Sequence, residues 1–151
     1  MIFDLQKTET ATKSFNKFNV IIIGAGAAGI TLAKTLADTG ESVALVEGGG
    51  LEYSVQSQNV YKGVVTGDPY FELDVARLRF LGGSTNHWQG FCRSFEEVDF
   101  QRANLGVEYT WPIDFKDIER YKEKACSILE IPSEFEDEEQ KQSNIKSIKF
   151  Q

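Results

Sequence analysis

The chain has 151 residues, 41% hydrophobic and 26% charged, an ordinary globular composition that excludes a disordered tail, a collagen-like fibre and a disulfide-stapled miniprotein. A chain of this length can bury roughly 68 to 70% of its unfolded surface, enough for one core. Sixteen basic against twenty-three acidic residues leave a net charge of −7, and without a local stripe of Lys and Arg this argues against a nucleic-acid partner.

Residues 1–18 carry Asp4 and Glu9 and no apolar stretch of signal-peptide length, so they read as an N-terminal extension. The longest aliphatic run, Val20 to Ile23, is far short of the roughly 18 residues of a membrane span. A cytoplasmic setting is expected, with Cys92 and Cys126 as reduced thiols; they stand 34 positions apart, so no metal site is expected either.

Asn19 to Gly24 is a β-branched run, apolar on both faces, as in a strand buried within a parallel sheet. From Ala27 the period becomes helical, with Ile30, Ala33 and Ala37 at three- and four-residue spacing and Leu32 and Leu36 beside them. Gly40 falls where a left-handed C-terminal cap belongs. Ser42 to Glu47 is a second short apolar strand ending in an acid. Together these predict a βαβ unit with parallel strands and a right-handed crossover, an α/β fold of Rossmann-like type.

Gly24-Ala25-Gly26-Ala27-Ala28-Gly29 matches G-x-G-x-x-G in the context that motif requires, after a strand and opening a helix. Gly24 permits the tight turn, Gly26 lets the backbone approach a pyrophosphate, and Gly29 allows close packing of helix on strand. The helix start offers N–H groups and a partial positive charge to phosphates. Glu47, 18 residues after Gly29, stands where a carboxylate accepts ribose hydroxyls and repels a 2′-phosphate. Turn formation alone would also use three glycines, but not the strand, helix and acid around them. The motif indicates an ADP-containing dinucleotide and leaves NAD and FAD both open.

Residues 51–81 show weak periodicity, with a turn at Gly67-Asp68-Pro69. The next unusual stretch, Arg77 to Gly90, combines Gly82 and Gly83 with Ser84, Thr85, Asn86, the only histidine, His87, and Trp88. Its backbone N–H groups from Gly82 to Ser84 could approach a phosphate or a flat ring, since glycine presents no side chain. Asp114 is placed to cap a helix running to about Leu129, with Ile118, Tyr121, Ala125 and Ile128 on one face and Pro132 beyond its end. Ser133 to Gln142 is an acidic, solvated stretch, and Ile145 to Phe150 is partly strand-like. The remaining aromatics read as packing residues, with Trp88 as the exception worth testing.

The combination of Gly24 to Gly29, Glu47-Gly48-Gly49, Arg79 to Trp88, Asp99-Phe100 and Trp111-Pro112-Ile113 resembles the N-terminal part of the glucose-methanol-choline flavoprotein oxidoreductases. It is most similar to the bacterial sugar- and alcohol-dehydrogenase and pyranose-oxidase-like branch, over about residues 19–132. The resemblance implies FAD and removal of a hydride from CH–OH groups of a sugar or alcohol, with an electron acceptor the sequence does not name. By that match Gly24 to Gly29 would hold the diphosphate and Glu47, beside Gly48, the adenosine ribose. Gly82, Gly83, Ser84 and Asn86 would line the flavin and its phosphate chain, and either Arg77 or Arg79 would reach a phosphate. His87 falls where covalently flavinylated members attach the ring. The family's catalytic base lies near its C-terminus, and this chain offers no candidate for it. The expected arrangement is therefore an extension (1–18), the N-terminal portion of an FAD-binding domain (19–132) and an acidic linker (133–151), the piece being inactive alone. Two other readings compete: a naturally short, non-catalytic dinucleotide-binding module, and an NAD-linked dehydrogenase fragment, against which Gly48-Gly49-Gly50 and the irregular stretch after it argue.

Overall fold

The computed structural model describes residues 1–5, 17–90, 92–101 and 111–131. They belong to two compact units, Met1–Gly90 and Phe91–Gln151.

In the first unit, strand β1 (Val20–Ile23), helix α1 (Ala27–Asp38) and strand β2 (Val43–Val46) form the βαβ crossover expected from the sequence. The strands pair in parallel, with Val20 opposite Val43 and Ile23 opposite Val46. Helix α1 packs on both strands. Its C-terminus closes as a Schellman motif: the Gly40 N–H donates to Ala37 O at 2.9 Å and the Glu41 N–H to Leu36 O at 3.1 Å. Gly40 takes φ +88° to do so, a conformation that side chains with a Cβ disfavour.

The expectation that β1 is buried on both faces does not hold among the described residues. Ile22 is buried at 8% exposure, whereas Ile21 and Ile23 are exposed. The described sheet has two strands, and α1 covers one face, so alternate residues of β1 face away from the packed side.

Residues 51–81 contain helix α2 (Val55–Gln58), a 3₁₀ turn (Asn59–Tyr61) and helix α3 (Leu73–Ala76). Each is a single turn, too short to show a 3.6-residue period, which is why the stretch reads as irregular. Ser54 caps α2, its hydroxyl accepting the Ser57 N–H at 3.2 Å. Gly67 bends the chain at φ +92°, as its Gly-Asp-Pro context predicts. A further 3₁₀ turn, Gly83–His87, follows.

The second unit holds helices α4 (Glu97–Phe100), α5 (Phe115–Glu119) and α6 (Lys122–Leu129). Asp114 caps α5 in a capping box: its carboxylate accepts the Asp117 N–H at 3.1 Å and Asp117 returns the bond to the Asp114 N–H. The single helix expected from Asp114 to Leu129 is interrupted at Arg120 and Tyr121. There the Tyr121 N–H bonds to Ile118 O, three residues back, tightening the turn before the ladder resumes from Ala125 to Tyr121. Its expected apolar face is open, with Tyr121 and Ile128 both exposed. Trp111 meets Phe95 and Phe100 edge-on at 5.9 and 5.7 Å, and Phe115 meets Phe100 at 6.2 Å, so the Trp of the Trp-Pro-Ile motif serves packing within this unit.

Among the described residues no helix is long and apolar enough to cross a membrane. Pro132, the acidic stretch Ser133 to Gln142 and the strand-like Ile145 to Phe150 lie outside the described residues, as do residues 6–16 of the N-terminal extension.

Candidate functional site

The site grows from the turn between β1 and α1. Gly24 adopts φ +99°, which reverses the chain and brings its carbonyl against α1. A Cβ on Gly29 would overlap that carbonyl oxygen, so glycine is required where helix meets strand. Gly26 differs: nothing lies within 4 Å of where its Cβ would be. It is the N-cap of α1, extended at φ −84° and ψ −172°, and no side chain caps the helix above it. Ala25 is buried, while Ala27 and Ala28 are exposed in the first helical turn.

Glu47, just past β2, ties this turn to the next glycine run. Its Oε2 accepts the Ala25 N–H at 2.8 Å and its Oε1 the Gly49 N–H at 2.9 Å. Burial alone would raise its pKa. The N–H groups of Ala25, Gly49 and Gly48, with the Arg79 charge nearby, outweigh that and hold it below the usual glutamate value.

The Gly48–Gly50 run lies on the segment that leads into the second glycine cluster. A Cβ on Gly48 would overlap the Arg79 guanidinium, and one on Gly49 the Arg79 carbonyl and the Phe80 Cα. The Leu81 N–H donates to Gly50 O at 3.0 Å and the Gly82 N–H to Ala25 O at 2.8 Å. Gly82 and Gly83 both have positive φ, +92° and +58°. A Cβ on Gly83 would stand 3.4 Å from the Gly26 Cα. Two glycine clusters 57 positions apart in sequence thus meet backbone to backbone.

One expectation for the second cluster is corrected. The N–H groups of Gly82 and Gly83 are already used within the protein, the first on Ala25 O and the second on Phe80 O at 2.8 Å. What these glycines allow is close approach: a Cβ on Gly82 would overlap the Asn86 amide, and one on Gly83 would meet the Gly26 Cα.

A family model described as FAD dependent oxidoreductase (DAO) matches residues 19–144. The chain belongs to that family. No curated protein and no solved structure matches it. FAD is therefore its cofactor, the βαβ unit is an FAD-binding fold of Rossmann-like type, and the chain carries the FAD-binding portion of an FAD-dependent oxidoreductase.

Within this flavoprotein chain the two arginines separate. Arg77 lies over the Tyr61 ring, 5.5 Å from its centroid. Arg79 is half-buried at the junction of the glycine runs and donates from Nη1 to Ser57 Oγ at 2.9 Å. Asn86 donates from Nδ2 to Leu81 O and Gly83 O at 2.8 and 2.9 Å, and Ser84 Oγ accepts the Leu78 N–H at 3.2 Å. Both side chains therefore shape the turn they sit in. His87 is exposed at the end of that turn.

Sequence reasoning missed Ser57 and Gln58, the two buried polar side chains among the described residues. The serine spacing Ser54 to Ser57 signals a helix cap and nothing more, and an amide destined for burial has no local signature.

Proposed function

We propose that the paired glycine clusters form one FAD cradle, with the diphosphate at Gly24–Gly29, the adenosine ribose at Glu47 and the flavin end along Gly82, Gly83, Ser84, Asn86 and His87. The approach of Gly83 to Gly26 carries this reading, because it brings the backbones of the two clusters together. The open space at Gly26 and the uncapped start of the 12-residue helix α1 fit an anionic group there.

The protein's part is positional. Gly24 turns the chain, Gly29 lets α1 close on β1, and Glu47 draws the first two glycine runs together through the Ala25 and Gly49 N–H groups. Arg79 keeps a positive charge beside them. When bound, FAD supplies the hydride-accepting chemistry. Orientation of a donor against it accounts for much of the rate gain in such reactions.

The donor we propose is a CH–OH group of a sugar or alcohol, which rests on the glucose-methanol-choline resemblance of the Gly82-Gly83-Ser84-Thr85 segment and of Trp111-Pro112-Ile113. Within the same reading His87 is the residue for a covalent tether and the setting is cytoplasmic. The absorbance spectrum of the protein as isolated from cells tests the cofactor reading: flavin bands support it, and a colourless protein that does not take up added FAD overturns it. In an enzyme that joins this FAD-binding portion to its catalytic base, anaerobic bleaching of those bands by sugars or alcohols supports the donor class, and bleaching by amines alone refutes it. Flavin fluorescence that survives denaturing electrophoresis supports the tether, and its complete loss refutes it.

A further inference from the structure

We propose that Gln58, with Ser57 beside it, is a positioning residue that sets the second glycine cluster against the first and thereby governs how tightly the flavin end of FAD is held. Gln58 is 4% exposed and Ser57 7%, an expensive placement for polar groups unless each finds its partners. They find them entirely along one segment. Gln58 Nε2 donates to Asp74 O and Arg77 O, both at 2.6 Å, and Oε1 accepts the Arg79 N–H at 3.0 Å. Ser57 Oγ donates to Arg79 O at 2.9 Å and accepts from Arg79 Nη1 at 2.9 Å.

The two side chains therefore hold Arg79 by its N–H, its C=O and its guanidinium at once. Four residues later the chain reaches Gly83 against Gly26, with Leu81 and Gly82 pinned on the way by Gly50 and Ala25. Two donors on one nitrogen and an acceptor on its neighbour are what a carboxamide has. A glutamate lacks the donors, and a methionine has no donor and only a weakly accepting sulfur, so neither satisfies these three backbone groups. An apolar residue at position 58 would bury as much surface, and the amide adds a fixed position for residues 74–79.

This inference rests on the reading that the flavin end of FAD lies at the second cluster. Its test is the full chain titrated separately with FAD, followed by flavin fluorescence, and with ADP, which engages only the first cluster, with far-ultraviolet circular dichroism as a check on folding. Gln58→Met is expected to weaken FAD tenfold or more while ADP stays within twofold, and Ser57→Ala to weaken FAD about threefold with ADP again unchanged. FAD affinity within twofold of the parent, or equal losses for both ligands, overturns the role of Gln58. Should Gln58→Met fail to fold, the Ser57→Ala comparison decides by the same ratio. A parent chain that binds ADP and not FAD sinks the cradle reading and this inference with it, before any variant is measured.

Discussion

The carboxylate of Glu47 accepts the N–H of Ala25 at 2.8 Å, across 22 positions of sequence. Its other oxygen takes Gly49, so one side chain joins the turn after β1 to the run after β2. An acid at the end of the second strand is thus a structural tie as well as a candidate ribose partner.

That tie has a pH signature. Glu47 stays ionised in the fold to lower pH than in the unfolded chain, because backbone N–H groups and Arg79 favour its charge. The unfolded chain takes up the proton first, so the contribution is fully present above about pH 4.5 and is lost as pH falls from there through the depressed folded value. Glu47→Gln removes this dependence and sets an amide donor beside a backbone N–H, at a cost of about 1–3 kcal/mol. Thermal unfolding from pH 3 to 7 checks it: the parent should lose stability relative to the variant on the acid side, and parallel curves would contradict the tie.

Gly26 and Gly29 separate the glycine proposed to face the diphosphate from a packing glycine. Gly29→Ala forces a Cβ onto the Gly24 carbonyl, and overpacking of this kind costs about 1–3 kcal/mol or more. Gly26→Ala meets open space at an ordinary φ and should change stability by no more than about 1 kcal/mol, the scale of an N-cap change. Urea unfolding and FAD titration together give the test. Gly29→Ala is expected to lower the unfolding midpoint, while Gly26→Ala keeps the midpoint and loses at least tenfold in FAD affinity. Unchanged FAD binding in Gly26→Ala would contradict the place given to the diphosphate.

Much of the first unit was legible because its signals are local. A β-branched run, a helical period and a glycine at a cap position each act within a few residues, and β1, α1, β2 and the Gly40 cap follow from them. The second cluster was legible as a glycine-rich motif, but its meeting with Gly26 is set by contacts far apart in sequence. Gln58 bonds to groups 16, 19 and 21 positions away, and nothing near it in the chain announces those partners. The break at Arg120 and Tyr121 was hidden for the opposite reason, since both residues keep right-handed helical backbone and only the hydrogen-bond ladder changes.

The Schellman cap at Gly40 yields the last prediction. Gly40 holds φ +88° with nothing within 4 Å of its Cβ position, so a substitution there is opposed by backbone conformation alone and not by crowding. Gly40→Ala should lower stability by about 1 kcal/mol, whereas Gly40→Asn, which tolerates the left-handed region better, should recover part of the loss. Since the cap lies at the opposite end of α1 from Gly26, FAD affinity should stay within twofold in both variants when measured well below the unfolding temperature. Denaturant midpoints for the three chains give the order Gly, Asn, Ala; an alanine variant as stable as the parent would mean that α1 ends without the left-handed residue.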